Sequence, residues 1–415
     1  MAANSKVQKS KIETRIAEAN AGRDPDRLAL KYAAMRADAF GFLRGTCSLY
    51  YKDLDYSALP AAPVVWCCGD LHLQNFGTYK GQNRLTYFDL NDFDEACLAP
   101  ASWDLVRLLS SVIVAGSVFG MDERTVDSLN GAFLTGYRTA LSQGKAGWVE
   151  RATSNGWIRA LLLRLKKRTR RKFLATRTML SRGQRSLILD GRRALPLDKG
   201  QRSMLRDFMS DFASQQPEPE FFHFIDAARR IAGTGSLGLE RFAVLVQGRG
   251  SPDGNFLLDL KLQPGPAATP KHGTRQPSWK SEAHRVATVQ HMVEAVAPAL
   301  LQPVKLDGRS FLLRELMPTN DRLNIAKWHD DIPGFHEVIR SLGEMVAWGN
   351  LRSASRKKAA LADELIDFGN SKKWAEPLLH CAAEAAARTE TQWREFAGPE
   401  AIEREVIRRE RFGET

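Results

Sequence analysis

The sequence predicts an α+β fold in which a mostly β segment, at about residues 222–316, lies between two helical portions. Short runs of β-branched and aromatic residues in the first hundred positions predict strands, each followed by a polar loop. Two further runs, at 241–246 and 256–261, are joined by a turn rich in Gly, Pro, Asp and Asn, which predicts antiparallel strands. Residues 336–348 instead have apolar residues at helical spacing.

Two polar clusters are the most informative part of the chain. Residues 68–75 read CGDLHLQN and residues 91–95 read NDFDE, and each cluster follows a short apolar run. Phosphoryl transfer from a nucleotide needs such a set: one carboxylate to orient or deprotonate the acceptor hydroxyl, and an amide oxygen plus a second carboxylate to hold Mg²⁺. Two Asp-rich turns are the alternative, since Asp, Asn and Gly are common turn residues. The order and spacing of the two clusters together favour a catalytic site over two structural turns.

The clusters resemble the motifs of kinase-like phosphotransferases, above all aminoglycoside and choline kinases, whose catalytic loop reads Gly-Asp-x-His-x-x-Asn. By that resemblance Asp70 is the catalytic base, and Asn75 and Asp92 are the Mg²⁺ ligands. Asp94 is the alternative second metal carboxylate, ahead of Asp89. His72 is a supporting residue that braces the catalytic loop. The implied cofactors are ATP and Mg²⁺.

The same branch has a helix start after the metal-binding Asp, similar to Trp103–Leu108 here. Asp104 is therefore expected to be structural, capping that helix and bracing the catalytic loop. Gly69 stands where protein kinases have an Arg before the catalytic Asp. That difference points to small-molecule kinases.

A glycine-rich stretch appears about 160 residues after the catalytic motif. Residues 233–238 read GTGSLG and lead into the strand predicted at 241–246. A Rossmann site needs a helix after the glycines, whereas a kinase has a glycine hairpin over the phosphates and a Lys on a nearby strand. Lys261 is the candidate Lys, and a solvated lysine at a strand end is the alternative. The phosphate-binding candidates of the loop are Gly233, Gly235, Ser236 and Gly238.

Two later elements complete the resemblance. A helix predicted from 281 to about 297 offers Glu282 and Glu294 as ion-pair partners of Lys261, and Glu282 has the nearer spacing. A strand predicted at 310–316 is similar to the one that leads into the hinge gripping adenine. Glu315 and Leu316 are accordingly expected near adenine.

The motifs occur in rotated order, with the catalytic loop first, the nucleotide lobe second and the helix at 336–348 last. We therefore predict a two-lobed protein-kinase-like fold that is circularly permuted and has extra C-terminal helices. Its predicted parts are a disordered segment 1–24, a catalytic part 25–221, a nucleotide-binding part 222–316, and the helical remainder of the catalytic lobe with a C-terminal extension at 317–415.

This rotated set resembles a bacterial family known as domain of unknown function 2252. The resemblance rests on residues 42–45 (FLRG), the two polar clusters and the late glycine motif, and it covers about residues 28–360. It implies a kinase-like fold and supplies no substrate. The chain departs from the family pattern after Lys261, where Leu262 and Gln263 replace an expected Glu-Ala pair.

Composition and charge restrict the class of protein. Hydrophobic content of 43% and charged content of 26% in 415 residues are ordinary for a soluble protein. The sequence has no run of 18 apolar residues, which argues against a membrane span. Five cysteines without metal-ligand spacing suit a reducing compartment. We expect a cytoplasmic protein.

The net charge of +12 is concentrated in residues 151–207, which contain 17 Lys and Arg against 3 Asp. The centre of this basic segment is 164–172 (RLKKRTRRK), predicted on a helix. It would suit an anionic acceptor or, less well, a nucleic acid. A solvated helix face is the alternative.

The sequence thus predicts an ATP- and Mg²⁺-dependent phosphotransferase acting on a hydroxyl-bearing small molecule or protein. The alternatives are transfer of AMP by a kinase-like enzyme, and a nucleotide- or nucleic-acid-binding protein without turnover. Neither the acceptor nor the oligomeric state can be inferred from the sequence.

Overall fold

The structure is a computed structural model that describes residues 11–267, 274–316 and 322–399. Its α-helices are α1 Lys11–Ala19, α2 Pro25–Ala37, α3 Ala39–Gly45, α4 Cys47–Asp53, α5 Ser102–Phe119, α6 Glu123–Ser142, α7 Gly156–Lys166, α8 Arg170–Ala175, α9 Lys199–Ser214, α10 Glu282–Val293, α11 Ile332–Ser353, α12 Ala362–Asn370 and α13 Ala375–Ala397. Its strands are β1 Val64–Cys67, β2 Phe76–Lys80, β3 Thr86–Leu90, β4 Cys97–Pro100, β5 Thr178–Ser181, β6 Gln184–Leu187, β7 Ala194–Leu195, β8 Phe224–Arg230, β9 Arg241–Val246, β10 Phe256–Leu262, β11 Gln302–Leu306 and β12 Arg309–Glu315. The fold is mixed α+β, as predicted.

The largest sheet is six-stranded and antiparallel, in the order β11-β12-β10-β9-β8-β7. Successive side chains of a strand point to opposite faces. On β10, Leu258 and Leu260 therefore join a core with Met209 and Phe212 of helix α9, while the polar residues between them lie on the other face. The predicted strands at 241–246, 256–261 and 310–316 are all present. The sheet also takes in β7, and α9 packs against it, so this unit begins before residue 222.

The helical portions pack around α5, whose residues are almost all buried. By length and composition α5 could cross a membrane, but 83% of it is buried inside the protein, as in a core helix. Helices α6 and α11 cross where two glycines allow close approach. A Cβ on Gly136 would overlap the carbonyl oxygen of Arg340, and one on Gly343 would overlap that of Phe133. The helix predicted at 336–348 is present and forms the middle of α11.

Two small hairpin-like sheets lie in the helical part and carry the polar clusters. Strand β1 pairs with β4, and β2 pairs with β3, both antiparallel. Residues 68–75 connect β1 to β2, and residues 91–96, which contain the second cluster, connect β3 to β4. Cys67 pairs with Cys97, and Phe76 pairs with Leu90, so both connections run between the same two ends of the paired strands. The two clusters therefore lie side by side, which is why they can form a single site.

Two predicted segments differ from the structure. Residues 11–19 form helix α1, whereas the sequence predicted disorder over 1–24; residues 1–10 of that prediction lie outside the described part. Ile12 and Ile16 are one turn apart and bury against the core, which explains the helix. The basic segment 164–172 is split between α7 and α8 by a turn at 167–169, so it does not form one helix face.

Candidate active site

The loop at 68–75 is held by the start of helix α5. Asp104 accepts hydrogen bonds from the main-chain N–H groups of Cys68 and Gly69, at 2.8 and 3.1 Å. Gly69 has a positive φ of 82°, and a Cβ there would overlap the carbonyl oxygen of Glu95. Asp104 thus braces the loop as expected, but it does not cap the helix, since Ala101 is the N-cap residue. The brace fixes the backbone immediately before Asp70.

Asp70 is oriented by a buried arginine. Arg107 of α5 donates to Oδ1 of Asp70 from Nε at 3.1 Å and from Nη2 at 2.8 Å. Both donors use the same oxygen, so Oδ2 takes no part in this ion pair. Burial raises the pKa of Asp70 above its ordinary value, and Arg107 opposes the rise. A carboxylate held in this way is suited to accept a proton.

Asn75 has its amide fixed by the backbone of both clusters. Its Nδ2 donates to the carbonyl oxygens of Asp70 and Asp92, each at 3.2 Å. Its Oδ1 is buried and has no hydrogen-bond partner among the described residues. A buried amide oxygen without a partner is costly unless a ligand satisfies it. Mg²⁺ favours oxygen ligands, so Asn75 fits the predicted metal role.

His72 supports the loop by hydrogen bonding. Its Nδ1 accepts from the main-chain N–H of Gln74 at 3.1 Å, and its ring meets the edge of Phe40. Burial lowers the pKa of His72 well below its ordinary value. A neutral imidazole that accepts at Nδ1 carries its proton on Nε2, which suits a bracing role.

Lys261 reaches the second cluster from the large sheet. Its side chain is only 5% exposed and contacts Asp94 Oδ2, and its Nζ lies 3.6 Å from Asp92 Oδ1. Gln263 also donates to Asp94, at 3.0 Å. Although its partial removal from water opposes the shift, Lys261 and Arg314 hold the pKa of Asp92, whose side chain is half exposed, below its usual range. Lys261 and Asp92 are thus brought together across 169 positions of sequence.

A buried cluster of arginines surrounds Lys261 on the same sheet face. Arg241 binds Asp259 through two donors, at 2.7 and 2.5 Å. Arg230 lies 2.7 Å from Asp259, and Arg314 lies 3.6 Å from it. Three arginines around one carboxylate leave this face positive beside Lys261. Such a face would attract a polyanion into the space between the sheet and the clusters.

The glycine loop joins β8 to β9 and rests on the N-terminal helices. Arg23 donates from Nη1 to the carbonyl oxygens of Gly235 and Leu237, at 2.7 and 2.8 Å. The main-chain N–H of Asp24 donates to the carbonyl oxygen of Gly238 at 2.9 Å. Gly233 and Gly238 have positive φ values of 76° and 89°, which favour glycine at both positions.

Ser236 closes the same loop, with its hydroxyl donating to the carbonyl oxygen of Ala232 at 3.3 Å. Lys31 donates to the carbonyl oxygen of Gly235 at 3.1 Å and to Asn20 at 2.7 Å. Burial lowers the pKa of Lys31 to about 7. The glycine loop is therefore held in one conformation by two cations, Arg23 between α1 and α2 and Lys31 on α2.

Two adjoining cavities connect these elements. The first, of about 100 Å³, is lined by the carboxylates at 70, 92, 94 and 95 together with Gly235 and Ser236. The second, of about 380 Å³, is lined by Gly233, Thr234 and Arg322, and Arg44 borders both. Together they form what we call the cleft. Burial raises the pKa of Glu95, at its edge, to about 7.

Neither of the two glutamates predicted to pair with Lys261 does so. Glu282 pairs with Arg285 at 2.7 Å and does not contact Lys261. Glu294 accepts from Gln290 at 2.9 Å, and so is not the partner of Lys261 either. The carboxylates that neutralise Lys261 belong instead to the second polar cluster, because β10 places the lysine directly above it.

The residues expected to contact adenine, Glu315 and Leu316, already have other hydrogen-bond partners. The main-chain N–H of Glu315 donates to Ala299, and that of Leu316 donates to Leu257 at 2.8 Å. The carboxylate of Glu315 binds Arg84 at 2.7 Å. Glu315 and Leu316 line a different cavity from the cleft, so this end of β12 does not offer donors to adenine.

Asp89 is excluded as the metal carboxylate. It accepts from Arg352 of α11 at 3.1 Å and from the N–H of Leu90, and it does not line the cleft. Within residues 11–267, 274–316 and 322–399, no group of three or more His, Cys, Asp or Glu side chains is arranged to hold a metal ion. Asn75 with Asp92 or Asp94 suits Mg²⁺ only in the manner of sites completed by substrate phosphates and water.

Sequence reasoning gave no role to several residues that shape the cleft. Arg107 had a usable signal, because it is the only charge in an apolar run, LVRLL at 105–109. A charge at such a position is buried and needs a partner. Arg44 lies in the FLRG motif at 42–45, which supported the family resemblance but indicated no role for the arginine. Arg23 and Lys31 had no signal, since nothing local links them to a loop about 200 positions later.

The chain matches a protein family over most of its length. A family described as "Uncharacterized protein conserved in bacteria (DUF2252)" matches residues 23–398. No match was found among curated proteins or among solved structures. The match covers both polar clusters, the glycine loop and Lys261.

Proposed function

This chain belongs to the bacterial DUF2252 family, and we propose that it is an ATP- and Mg²⁺-dependent phosphotransferase acting on a hydroxyl group. The observation that carries the proposal is the approach of Lys261 to Asp92 and Asp94. A buried cation from a sheet meets two carboxylates that follow a loop with a base-like Asp. Kinases use this combination around the phosphates of ATP.

The proposal includes the kinase-like, circularly permuted fold that the sequence motifs imply. In support, the glycine loop joins two antiparallel strands, β8 and β9, and Lys261 lies on β10 beside β9. Helix α10 follows β10 along the chain, and α11 follows β12. A rotated order of these parts accounts for a catalytic loop that precedes them in sequence but faces them in space.

The proposed binding mode places the triphosphate in the cleft. The glycine loop covers it, and Lys261 binds the α- and β-phosphates. An ammonium group has three donors, so Lys261 can contact phosphate and keep one carboxylate. Asn75 Oδ1 and Asp92 hold the Mg²⁺, with Asp94 as a further carboxylate. The Mg²⁺ supplies charge neutralisation and positioning of the β- and γ-phosphates.

Asp70 takes the proton from the acceptor hydroxyl. As it does so, the acceptor oxygen forms a bond to the γ-phosphorus, and the bond from phosphorus to the β,γ-bridging oxygen breaks to release ADP. Arg107 keeps Oδ1 of Asp70 in place, so Oδ2 is the oxygen proposed to accept the proton. Phosphoryl transfer depends mainly on positioning and electrostatic stabilisation, which these fixed groups supply.

The test uses ATP labelled at either the α- or the γ-phosphate. Each is incubated with Mg²⁺ and the full chain, alone and with a deproteinised bacterial extract as the source of hydroxyl acceptors. Transfer of the γ-label, lost in Asp70→Asn and retained in a surface control such as Asp363→Asn, would support the proposal. Transfer of the α-label would replace it with AMP transfer. Movement of neither label, together with no binding of ATP, would overturn it.

A further inference from the structure

A further cavity, outside the cleft, lies at the far end of the β2–β3 hairpin. It has a volume of about 330 Å³ and is bounded by the hairpin tip, helices α7 and α8, and the end of β12. We call it the hairpin cavity. Lys80, the last residue of β2, is five residues beyond Asn75, a distance of about 17 Å along a strand. The hairpin cavity is therefore separate from the cleft, and its use does not depend on the proposed phosphotransferase activity.

The charge of the hairpin cavity is strongly positive. Among the described residues, its walls contribute two carboxylates, Glu150 and Glu315. The carboxylate of Glu315 is already bound by two of the cations, as described below. The cationic residues of the lining are Lys80, Arg84, Arg151, Lys166, Arg168 and Arg170.

The arginines of the inner wall are fixed before any ligand binds. Arg84 donates to both oxygens of Glu315, at 2.7 and 3.3 Å, and Arg170 lies 3.7 Å from the same carboxylate. The guanidinium of Arg170 also lies 3.4 Å from the centre of the Phe256 ring, and that of Arg84 lies 5.5 Å from it. Guanidinium groups that are already positioned lose little entropy when they bind an anion.

Lys80 is crowded by the other cations. Burial lowers the pKa of Lys80, and the neighbouring charges of Arg84, Arg170 and Arg168 add to the effect, against Glu315. Like charges held together in a concave site repel one another until a counter-ion binds. The apolar part of the lining includes Leu162, Leu165 and Phe173, which would contact an uncharged portion of a ligand.

We propose that the hairpin cavity binds a small phosphorylated molecule carrying at least two negative charges. Its concave shape and volume suit a compact ligand, whereas a nucleic acid would need an extended basic surface. Guanidinium groups bind phosphate through paired, charge-assisted hydrogen bonds. The hairpin cavity thereby gives a function to the basic segment 164–172, half of which lines it.

The experiment measures binding of inorganic pyrophosphate by calorimetry, without Mg²⁺ and at 150 mM NaCl. The test variant is Lys166→Ala with Arg168→Ala, since both residues are exposed on the outer wall. The matched control is Lys167→Ala with Lys172→Ala, which removes the same charge from the same segment but not from the lining. The variant Lys261→Met tests whether pyrophosphate binds in the cleft instead of the hairpin cavity. Thermal melting confirms that each variant is folded.

We expect pyrophosphate to bind the wild type, the test variant to lose at least tenfold in affinity, and the control and Lys261→Met to change less than twofold. Equal losses in the test and control variants would overturn the proposal in favour of a diffuse basic surface. A loss in Lys261→Met would assign the anion to the cleft. Absence of binding at millimolar pyrophosphate would also overturn it, as would tighter binding of a single-stranded RNA oligonucleotide that both double variants weaken alike.

Discussion

Arg107 donates from two nitrogens to a single oxygen of Asp70, at 3.1 and 2.8 Å. Arg107 is itself fully buried, donates to the carbonyl oxygen of Leu43 at 2.6 Å, and lies 4.3 Å from the centre of the Tyr50 ring. The arginine is therefore fixed by three independent contacts, and it holds Oδ1 of the Asp70 carboxylate in place. Asp70 has little freedom to rotate, which is a useful property in a positioned base.

Asp70→Asn should leave ATP binding nearly unchanged and lower transfer by about 10²–10⁴-fold, the usual contribution of a positioned general base. The reason is that an amide keeps the shape of the side chain but cannot accept the acceptor proton. Nucleotide binding by calorimetry and γ-label transfer should be measured on the same preparation. Wild-type turnover in the variant would reduce Asp70 to a structural turn residue, and loss of ATP binding would assign it to the metal site.

Arg107→Lys should lower kcat by about 10- to 100-fold with little change in KM for ATP, because paired hydrogen bonds to a charged group contribute about 1.5–3 kcal/mol. Arg107 opposes the burial that raises the pKa of Asp70. A weaker interaction at position 107 should therefore let the pKa of Asp70 rise further, which moves the acid limb of the rate–pH profile to higher pH. The control is Arg138→Lys, a partly buried arginine that binds Ser371. A reduced kcat with an unshifted profile would mean that Arg107 acts only on stability.

The sequence was sufficient for features that depend on local pattern. Runs of β-branched and aromatic residues joined by a turn predicted β9 and β10, and helical spacing predicted the middle of α11. The turns that follow β1 and β3 could be identified as polar clusters because Gly, Asp and Asn interrupt apolar runs there. The motif order also predicted that Lys261 would approach Asp92 from a distant part of the chain, and the two lie 3.6 Å apart.

Partner choice could not be predicted in the same way. Glu282 was favoured by its spacing after Lys261, yet it binds Arg285, which is one helical turn away on its own helix. Arg285 also donates to the main-chain carbonyl oxygens of Asp94 and Ala96. Glu315 was expected beside adenine, yet the hairpin tip brings Arg84 to it. In each case a long basic side chain from a nearby or distant element competes for the carboxylate, and sequence spacing carries no information on that competition.

Asp92→Ala should abolish most of the thermal stabilisation that Mg²⁺·ATP gives the wild type. Binding to the native state alone adds about 2.7 kcal/mol at a hundredfold excess over Kd. Asp92 is the half-exposed carboxylate of the pair beside Lys261, so it is available to a metal ion. The melting shift should be compared with that of Asp363→Ala, an exposed acid in α12. Equal shifts in all three proteins would show that Asp92 is not a metal ligand.

Glu95→Gln should make the protein more stable at pH 8 than the wild type and should matter little near pH 4.5. Burial raises the pKa of Glu95 from 4.5 to about 7, so the folded state holds this proton more tightly than the unfolded state does. The associated stability is present below about pH 4.5 and is lost as the pH rises through 7. Glutamine can still accept the hydrogen bond from Ala267.

The measurement for Glu95 is the melting temperature of both proteins between pH 4.5 and 8.5. The difference between the two curves should grow across that range and level off above about pH 7.5. Glu218→Gln, on the surface, serves as the control and should run parallel to the wild type. If the Glu95→Gln curve also ran parallel to the wild type, the carboxyl would not be titrating in this window.

Gly69→Ala should destabilise the protein by about 2 kcal/mol or more, because a positive φ and a steric overlap act together. The overlap is with the carbonyl oxygen of Glu95, a backbone atom that cannot rotate away. Gly131→Ala is the matched control: Gly131 lies inside α6 with nothing within 4 Å of its added methyl group. That change should stabilise the protein by about 0.5–1 kcal/mol.

Urea unfolding gives the change in stability of both variants. The transfer of the γ-label by the folded fraction should fall only in Gly69→Ala, since Gly69 precedes Asp70. Similar unfolding midpoints for the two variants would mean that the loop at 68–75 adjusts without strain.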